Sequence, residues 1–348
     1  MHIYGIVTLP EGFSNHSGLW PAVREVGMEP VEFGARWHRW QKYSWTVGEW
    51  LRNWGNWWYG SGWNALTPWW DERTILAALP QGKPHVVHWL WGEFAAPKRA
   101  ETYRKRGGRV VISVHCSARR WESVWRRSDG YAQADMVVLT SESQREFVER
   151  DVPCKQVRRI LHGVVSKHFT PGRREPGGKK RLRLFLFGNT ERDHAFAAAV
   201  AGRLPAERFE WRIRTVAPER HLYGAIPCVT VLGRLSEEDV LDEYRQADLL
   251  CMPMLDSAAN NVFLESRACG TPVMTNRVGG VPEYVAGECN VVMPSDATTD
   301  DWVDKLLELE RDRSALEFLR PGTRAWAEGF DWNIIAGEYL KMYKELLP

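Results

Sequence analysis

The feature that most constrains the fold is the segment 247–285, where strand-like and helix-like patterns alternate around small polar loops. The apolar run 247–252 has the composition of a strand that is buried on both faces, as in a parallel sheet. The polar loop 256–261 follows, and then a helical pattern that Gly270 would end. A second strand is predicted at 271–275. The segment therefore predicts a strand-helix-strand unit of a parallel α/β sheet.

Two loops of this segment are suited to contact an anionic ligand. The loop 256–261 opens the helix, where backbone N–H groups lack partners within the helix and point outwards. Gly279 and Gly280 would let a ligand approach the backbone closely because they carry no side chain. Both loops follow parallel strands, so we expect them at the carboxyl edge of the sheet, where open α/β sheets bind ligands.

The same residues resemble the donor-binding signature of retaining nucleotide-sugar glycosyltransferases of the GT-B fold, in the large family-four group. The run 264–273, Leu-Glu-Ser-Arg-Ala-Cys-Gly-Thr-Pro-Val, is similar to the family's Leu-Glu-Ala-Met-Ala-Cys-Gly-Thr-Pro-Val. The run 279–283 matches the family's Gly-Gly-x-Pro-Glu. The resemblance implies that Glu265 hydrogen-bonds the ribose hydroxyls of the donor. A plain strand-helix-strand unit is the alternative, but a carboxylate on an otherwise apolar helix face needs a partner.

The resemblance further implies that the N–H groups around Asn260, Asn261 and Val262 bind the diphosphate of the donor. The family usually places a second glutamate eight residues before the first, and this chain has Ser257 there, with Asp256 beside it. We expect this departure to affect sugar selection or the charge near the reacting carbon.

Other site residues are also implied by the resemblance. His115, at the end of a buried strand, matches a histidine that touches the donor sugar, and Arg192 matches a basic residue on the donor phosphates. The backbone near Arg234 and Leu235 would read the nucleobase edge, and Gly18 would face the diphosphate. The alternatives are a structural histidine at His115, a surface arginine at Arg192 and an ordinary loop at Gly18.

The predicted fold class is α/β, with the GT-B architecture of two doubly wound Rossmann-like domains that face a cleft. A chain of 348 residues is long enough for two domains of ordinary size. We expect an acceptor-binding domain at 1–170 with an insertion at about 36–70, and a linker at 171–181. The nucleotide-sugar domain is expected at 182–330, and a final helix at 331–348 is expected to cross back to the first domain.

Composition predicts the compartment. The sequence has no run of 18 or more apolar residues, so no transmembrane helix is expected. Its start lacks the regions of a signal peptide. The six cysteines are scattered and never at CxxC spacing, which favours buried free thiols over disulfides or zinc. We therefore expect a cytoplasmic protein.

The acceptor is suggested by an uneven charge distribution. Residues 36–127 contain about 16 Lys and Arg against about 6 Asp and Glu, together with most of the 19 tryptophans. Three interpretations compete for the Trp-rich insertion: an aromatic subcore, a stacking platform for bases or sugars, and a membrane-surface patch. We favour a polyanionic acceptor, namely nucleic acid with a modified base. A lipid or glycan acceptor at the membrane surface, through peripheral contact, is the rival.

The expected reaction is transfer of a hexose from a nucleoside-diphosphate sugar, most simply a UDP-sugar, with retention at the anomeric carbon. His115, Arg192, Asn260 and Asn261 are the predicted catalytic residues, because charge on the leaving diphosphate must be stabilised and the sugar oriented. No Asp-x-Asp stands in a strand-end loop, so we expect no metal and no cofactor besides the donor. A binding protein of this fold that has lost catalysis is the alternative, since Ser257 replaces a usual glutamate.

Overall fold

Strands that are apolar on both faces organise both halves of the chain. The computed structural model describes residues 1–8, 16, 18–33, 75–92, 100–124, 134–152, 154–172, 181–285 and 287–347. The chain divides into two compact units. Unit 1 comprises Met1–Leu161 together with Trp332–Pro348, and unit 2 comprises His162–Asp331.

Unit 1 contains a six-stranded parallel sheet in the order β2-β1-β3-β4-β5-β6. Its strands are β1 (His2–Thr8), β2 (Glu29–Phe33), β3 (His85–Trp89), β4 (Gly108–Val114), β5 (Met136–Leu139) and β6 (Val157–Arg159). Its helices are α1 (Trp20–Val26), α2 (Ala100–Lys105), α3 (Ala118–Val124), α4 (Arg145–Asp151) and, from the end of the chain, α12 (Trp332–Leu346).

Unit 2 contains a second six-stranded parallel sheet in the order β12-β11-β10-β7-β8-β9. Its strands are β7 (Leu182–Phe187), β8 (Phe209–Arg214), β9 (Val229–Leu232), β10 (Leu249–Cys251), β11 (Val273–Asn276) and β12 (Val291–Met293). Its helices are α5 (His194–Ala201), α6 (Ala217–Arg220), α7 (Glu237–Gln246), α8 (Asn261–Ala268), α9 (Val281–Tyr284), α10 (Thr299–Arg311) and α11 (Ser314–Glu328).

Both sheets confirm the predicted α/β class. Strands such as β5 and β10 are buried along their whole length, because helices cover both faces of a parallel sheet. In unit 2 the strand order reverses between β7 and β10, so the chain first builds one side of the sheet and then the other. The two polar loops predicted from the sequence both belong to the second side.

The final helix is attached to unit 1 through a buried polar cluster. His88 on β3 lies between Ser113 on β4 and Tyr343 on α12, and all three side chains are fully buried. The Nδ1 atom of His88 is 2.5 Å from the Tyr343 hydroxyl, and its Nε2 atom is 2.7 Å from the Ser113 hydroxyl. Burial, with the nearby His115, lowers the pKa of His88 to about 3, so the imidazole is neutral at ordinary pH.

The segment 162–172 packs on unit 2, whereas the sequence had suggested that the first domain extends to residue 170. Arg324 donates to the backbone oxygens of Phe169 at 2.6 Å and Ser166 at 3.1 Å. Arg245 donates to the backbone and side-chain oxygens of Thr170, both at 2.9 Å. These long-range contacts place the boundary between the units at Leu161, before the predicted linker.

The structure bears on the predictions about the Trp-rich insertion, the linker, the cysteines and transmembrane helices. The Trp-rich insertion at 36–70 and most of the predicted linker lie outside the described residues. The six cysteines are free, as predicted, and all but the partly buried Cys154 are buried. Among the described residues, no helix is both long enough and apolar enough to cross a membrane.

The neutral state of His88 predicts a pH-dependent stability. Between pH 6.5 and about 3 the unfolded imidazole binds a proton that the folded one does not, so acid favours the unfolded state. We expect the free energy of unfolding, measured by urea titration, to fall by about 2 kcal/mol from this residue between pH 7 and pH 5. The variant His88→Gln should show a shallower decline over the same range. Equal declines for the two proteins would contradict the assignment.

Candidate functional site

The candidate site of unit 2 lies where the strand order of its sheet reverses. The loops after β7 and β10 leave neighbouring strands in opposite directions, which opens a crevice at the carboxyl edge of the sheet. In this protein the two loops are joined. The backbone N–H of Asp193 donates to the oxygen of Pro253, and that of Leu255 donates to the oxygen of Glu191, both at 2.9 Å. The loops therefore form one surface rather than two independent flaps.

Glu191 has a strained backbone at the centre of this surface. Its φ is 60°, in the left-handed region that side chains other than glycine rarely adopt. The bonds on either side of it fix this conformation, since the next residue, Arg192, forms an antiparallel bridge with Met254. Strain of this kind persists only where surrounding contacts enforce it, and it is concentrated at functional sites.

The guanidinium group of Arg192 lies between the loop after β7 and the start of α8. Its Nε donates to the backbone oxygen of Phe187 at 3.2 Å, its Nη2 to Oδ1 of Asn260 at 3.2 Å, and its Nη1 to the backbone oxygen of Thr190. Burial lowers the pKa of Arg192 to about 10, although nearby Tyr244, Glu265 and Glu191 oppose the shift. The group is therefore a positive charge at neutral pH, fixed in direction and in reach of Asn260.

Asn260 caps α8 and connects it to Arg192. Its Oδ1 accepts from the backbone N–H of Val262 at 3.1 Å, in addition to the bond from Arg192. One side-chain oxygen thus accepts from one N–H of the first helical turn and from one nitrogen of the guanidinium together. An anion with several oxygens could take over both sets of donors, because helix N-termini and guanidinium groups both favour negative charge.

Glu265 lies one turn further along α8, buried in unit 2. One of its carboxylate oxygens accepts from the Tyr244 hydroxyl at 2.9 Å. On the rear of α8, Arg267 is fully buried, donates to the backbone oxygen of Tyr284 and stacks on the Trp326 ring at 3.6 Å. α8 is therefore held rigidly from behind, which fixes the place of Glu265.

The glycine pair after β11 supports the loop after β10 directly. Gly279 has a φ of 47°, and an added Cβ would lie 2.2 Å from Oδ1 of Asp256 and 2.3 Å from the oxygen of Ser257. The backbone N–H of Gly280 donates to that same oxygen of Ser257 at 2.6 Å. The close approach predicted for these glycines is thus an approach to the neighbouring loop of the protein. Ser257 is buried by it.

Two predicted base-reading residues lie at the edge of the same sheet. Arg234, which is exposed, and Leu235, which is partly buried, follow β9 at its carboxyl end. Ser236 comes next and caps α7, since its hydroxyl accepts from the backbone N–H of Asp239 at 3.1 Å. The loop therefore has a fixed end at α7.

The structure divides the predicted site residues between the two units. Unit 1 contains His115, partly buried at the end of β4 with its ring 6.3 Å from that of Trp91, and Gly18, buried with a φ of 70°. Unit 2 contains the others: Arg192, Arg234, Leu235, Ser257, Asn260, Asn261, Val262 and Glu265. Within unit 2, Arg192 hydrogen-bonds Asn260 at the start of α8, and the charge of Glu265 opposes the lowering of the Arg192 pKa, so that these residues form one electrostatic network.

Sequence reasoning missed two residues of this network. Tyr244 contacts Glu265, and Asn276 holds the loop after β10, because its Oδ1 accepts from the backbone N–H of Met254 at 2.8 Å and its Nδ2 donates to the oxygen of that residue at 2.9 Å. A signal existed for Tyr244, because a tyrosine on the apolar face of a helix needs a partner for its hydroxyl. Nothing in the sequence pointed to Asn276.

Comparison with known proteins finds a family match within unit 2 and relatives of one kind. Residues 181–312 match the family model of glycosyl transferases group 1. A D-inositol 3-phosphate glycosyltransferase of Saccharomonospora viridis is 33% identical over 110 residues, which are 32% of this chain and 26% of that protein. The corresponding enzyme of Corynebacterium jeikeium is 31% identical over 137 residues, 39% of this chain and 32% of that protein. The matches thus cover between about a quarter and a third of these curated relatives.

Solved structures resemble the chain over nearly its whole length. Sucrose-phosphate synthase from Thermosynechococcus elongatus has a TM-score of 0.69 and 15% identity, with 99% of this chain and 98% of that chain covered. HepE from Anabaena, solved in complex with UDP and glucose, has a TM-score of 0.69 and 13% identity, with 99% and 100% covered. These likenesses establish the fold.

The chain therefore has the GT-B fold, and residues 181–312 of unit 2 match the glycosyl transferases group 1 family. This confirms the family resemblance that the segment 247–285 indicated.

The close packing of Gly279 against Asp256 and Ser257 allows a test of whether this glycine holds the loop after β10 in place. Gly279→Ala should lower the free energy of unfolding by about 2–3 kcal/mol, because the new methyl group would collide with two backbone-anchored oxygens at a strained φ. Urea unfolding would measure the loss. Gly233→Ala is the matched control, since nothing lies within 4 Å of its added Cβ. Equal stability of both variants would show that the loop after β10 is not held by Gly279.

Proposed function

We propose that this protein is a glycosyltransferase that moves a hexose from a nucleoside-diphosphate donor to an acceptor hydroxyl, with retention at the anomeric carbon. The observation that carries the proposal is the network of Arg192, Asn260 and Glu265 at the switch point of unit 2. It lies in the part of the chain that matches the group 1 family.

Each group of the network can bind one part of a nucleoside-diphosphate sugar. The diphosphate would replace Oδ1 of Asn260 as the acceptor for Arg192 and for the first turn of α8, where its charge is stabilised by the helix dipole. Glu265 would accept from the ribose hydroxyls, and the backbone near Arg234 and Leu235 would contact the base. UDP is the favoured nucleotide, since HepE and the pneumococcal O-GlcNAc transferase GtfA were both solved with UDP.

The reaction requires little proton transfer by the protein. The acceptor oxygen bonds to the anomeric carbon on the face that the diphosphate leaves, the carbon–oxygen bond to phosphate breaks, and the acceptor proton passes to the departing phosphate oxygen. Arg192 and the N-terminus of α8 stabilise the charge that develops there. Since these groups supply the positive charge, we propose that no metal ion is needed. His115 is proposed to orient the sugar.

The acceptor is proposed to be anionic. Acceptor recognition in this fold is expected from unit 1, which carries the excess of Lys and Arg. A phosphorylated polyol, like the substrate in the relatives' name, and nucleic acid with a hydroxyl-bearing modified base both meet this requirement. A lipid-linked acceptor at a membrane surface is the second candidate, because tryptophan and arginine together suit headgroups.

The first experiment separates an enzyme from a binding protein. The protein is incubated with a panel of sugar nucleotides, and free nucleoside diphosphate is measured with no acceptor, with inositol phosphate, with hydroxymethylated DNA and with anionic lipid vesicles. We expect slow release from a UDP-sugar alone, faster release with one acceptor class, and no loss of rate in EDTA. Proton NMR of the product reports retention. Binding without release under every condition would contradict the enzymatic proposal.

A single isosteric substitution tests the diphosphate site. In Asn260→Asp the new carboxylate still caps α8 and pairs with Arg192, so the melting temperature should be unchanged or higher. Its negative charge would repel the diphosphate, so UDP affinity measured by calorimetry should fall about 10- to 100-fold at low salt.

The matched control is Asn333→Asp, which makes the same change on the exposed start of α12 in unit 1. It should leave UDP affinity unchanged. If Asn260→Asp bound UDP as tightly as the wild type, the diphosphate would not lie at the start of α8.

A further inference from the structure

Tyr244 is the residue whose hydroxyl holds the carboxylate of Glu265. It lies near the end of α7, is fully buried, and donates to Oε2 of Glu265 at 2.9 Å. Its own backbone oxygen accepts from the Thr271 hydroxyl at 2.6 Å. Thr271 follows α8 in the chain, so its hydroxyl links the segment after α8 to the backbone of α7, in addition to the bond from the Tyr244 hydroxyl to Glu265.

The ring of Tyr244 is fixed by other aromatic rings. Phe185 and Phe187 of β7 pack edge-to-face against it, with centroids 5.6 and 6.4 Å away, and Phe169 does so at 6.3 Å. Contacts with three aromatic rings restrict the movement of the Tyr244 ring, so the position of its hydroxyl is restricted too. The contact with Glu265 is therefore set by the core of unit 2.

The hydroxyl of Tyr244 acts only as a neutral donor. Burial raises the pKa of Tyr244 well above its usual range, and the adjacent Glu265 raises it further, while Arg192 opposes the shift. The proton therefore stays on the oxygen at any pH near neutrality. A buried carboxylate is stabilised by such a bond, and one of its oxygens acquires a fixed direction.

We propose that Tyr244 is a positioning residue for ribose: it orients Glu265 so that the site selects nucleoside diphosphates that keep both ribose hydroxyls. The inference rests on the proposed function, since it assigns Glu265 to the donor's ribose. Two hydroxyls on adjacent carbons present donors in a fixed relative geometry. A carboxylate that is already oriented loses less rotamer freedom on binding them than one that turns freely.

The experiment compares ribose selectivity in wild type and Tyr244→Phe. UDP, ADP and GDP, each with its 2′-deoxy counterpart, are titrated by calorimetry, and the ratio of the two dissociation constants is the readout. The wild type should prefer the ribonucleotide by about tenfold or more. In Tyr244→Phe the ribonucleotide affinity should fall about tenfold with little change for the deoxynucleotide, so that the ratio approaches one.

Tyr284→Phe is the matched control, because it also loses a fully buried tyrosine hydroxyl in unit 2. That hydroxyl accepts from the backbone N–H of His162 at 2.9 Å rather than contacting Glu265. A purely structural role of Tyr244 would lower both affinities together and leave the ratio intact. In a Glu265→Ala background, Tyr244→Phe should change the ratio no further, because the tyrosine acts through the carboxylate.

The outcomes separate the two proposals. If wild type binds none of these nucleotides, the proposed function fails. If wild type prefers the ribonucleotide and Tyr244→Phe keeps that preference, the inference on Tyr244 fails alone. Should Tyr244→Phe not fold, Phe169→Leu loosens the ring packing without touching either hydrogen-bonding group. It should reduce the preference partially, and an undiminished preference would overturn the inference.

Discussion

The site depends on one oxygen atom, Oδ1 of Asn260, which accepts from the N-terminus of α8 and from the guanidinium of Arg192. These two donors come from loops on opposite sides of the point where the sheet of unit 2 reverses its strand order. By bridging them, the side chain fixes a positive charge against a helix dipole at the carboxyl edge of the sheet. Both favour an anion with several oxygens, which is the common requirement of every donor considered above.

This arrangement is built on contacts outside the anion site. The loop after β7 is joined to the loop after β10 by backbone bonds through Glu191, and Gly279 fills the space behind Ser257 where no side chain fits. Behind α8, the buried Arg267 stacks on Trp326. Rigid support matters for the proposed reaction, because a site that stabilises charge in a transition state gains most when its dipoles need no rearrangement.

A large part of the fold could be predicted from local sequence. The apolar run at β10 and the glycine that ends α8 were both confirmed, because strand burial and helix termini depend on residues close in the chain. The extent of unit 1 could not be predicted in the same way. Arg245 and Arg324 bind the segment 162–172 to the rest of unit 2. In the sequence both resemble ordinary surface arginines, and nothing near them indicates that they hydrogen-bond a distant segment.

In the candidate site, too, some features could be predicted from the sequence and others depend on the tertiary structure. Sequence alone indicated that a run resembling the family's donor-binding signature stands on a strand-loop-helix unit, with Glu265 on an apolar helix face, since the motif is continuous in the chain. Only the tertiary structure decided that Arg192 reaches Asn260, that Tyr244 holds Glu265 and that Asn276 fixes the loop after β10. Each of these contacts joins residues at least twenty positions apart. Such contacts depend on strand order in the sheet, which neighbouring residues do not encode.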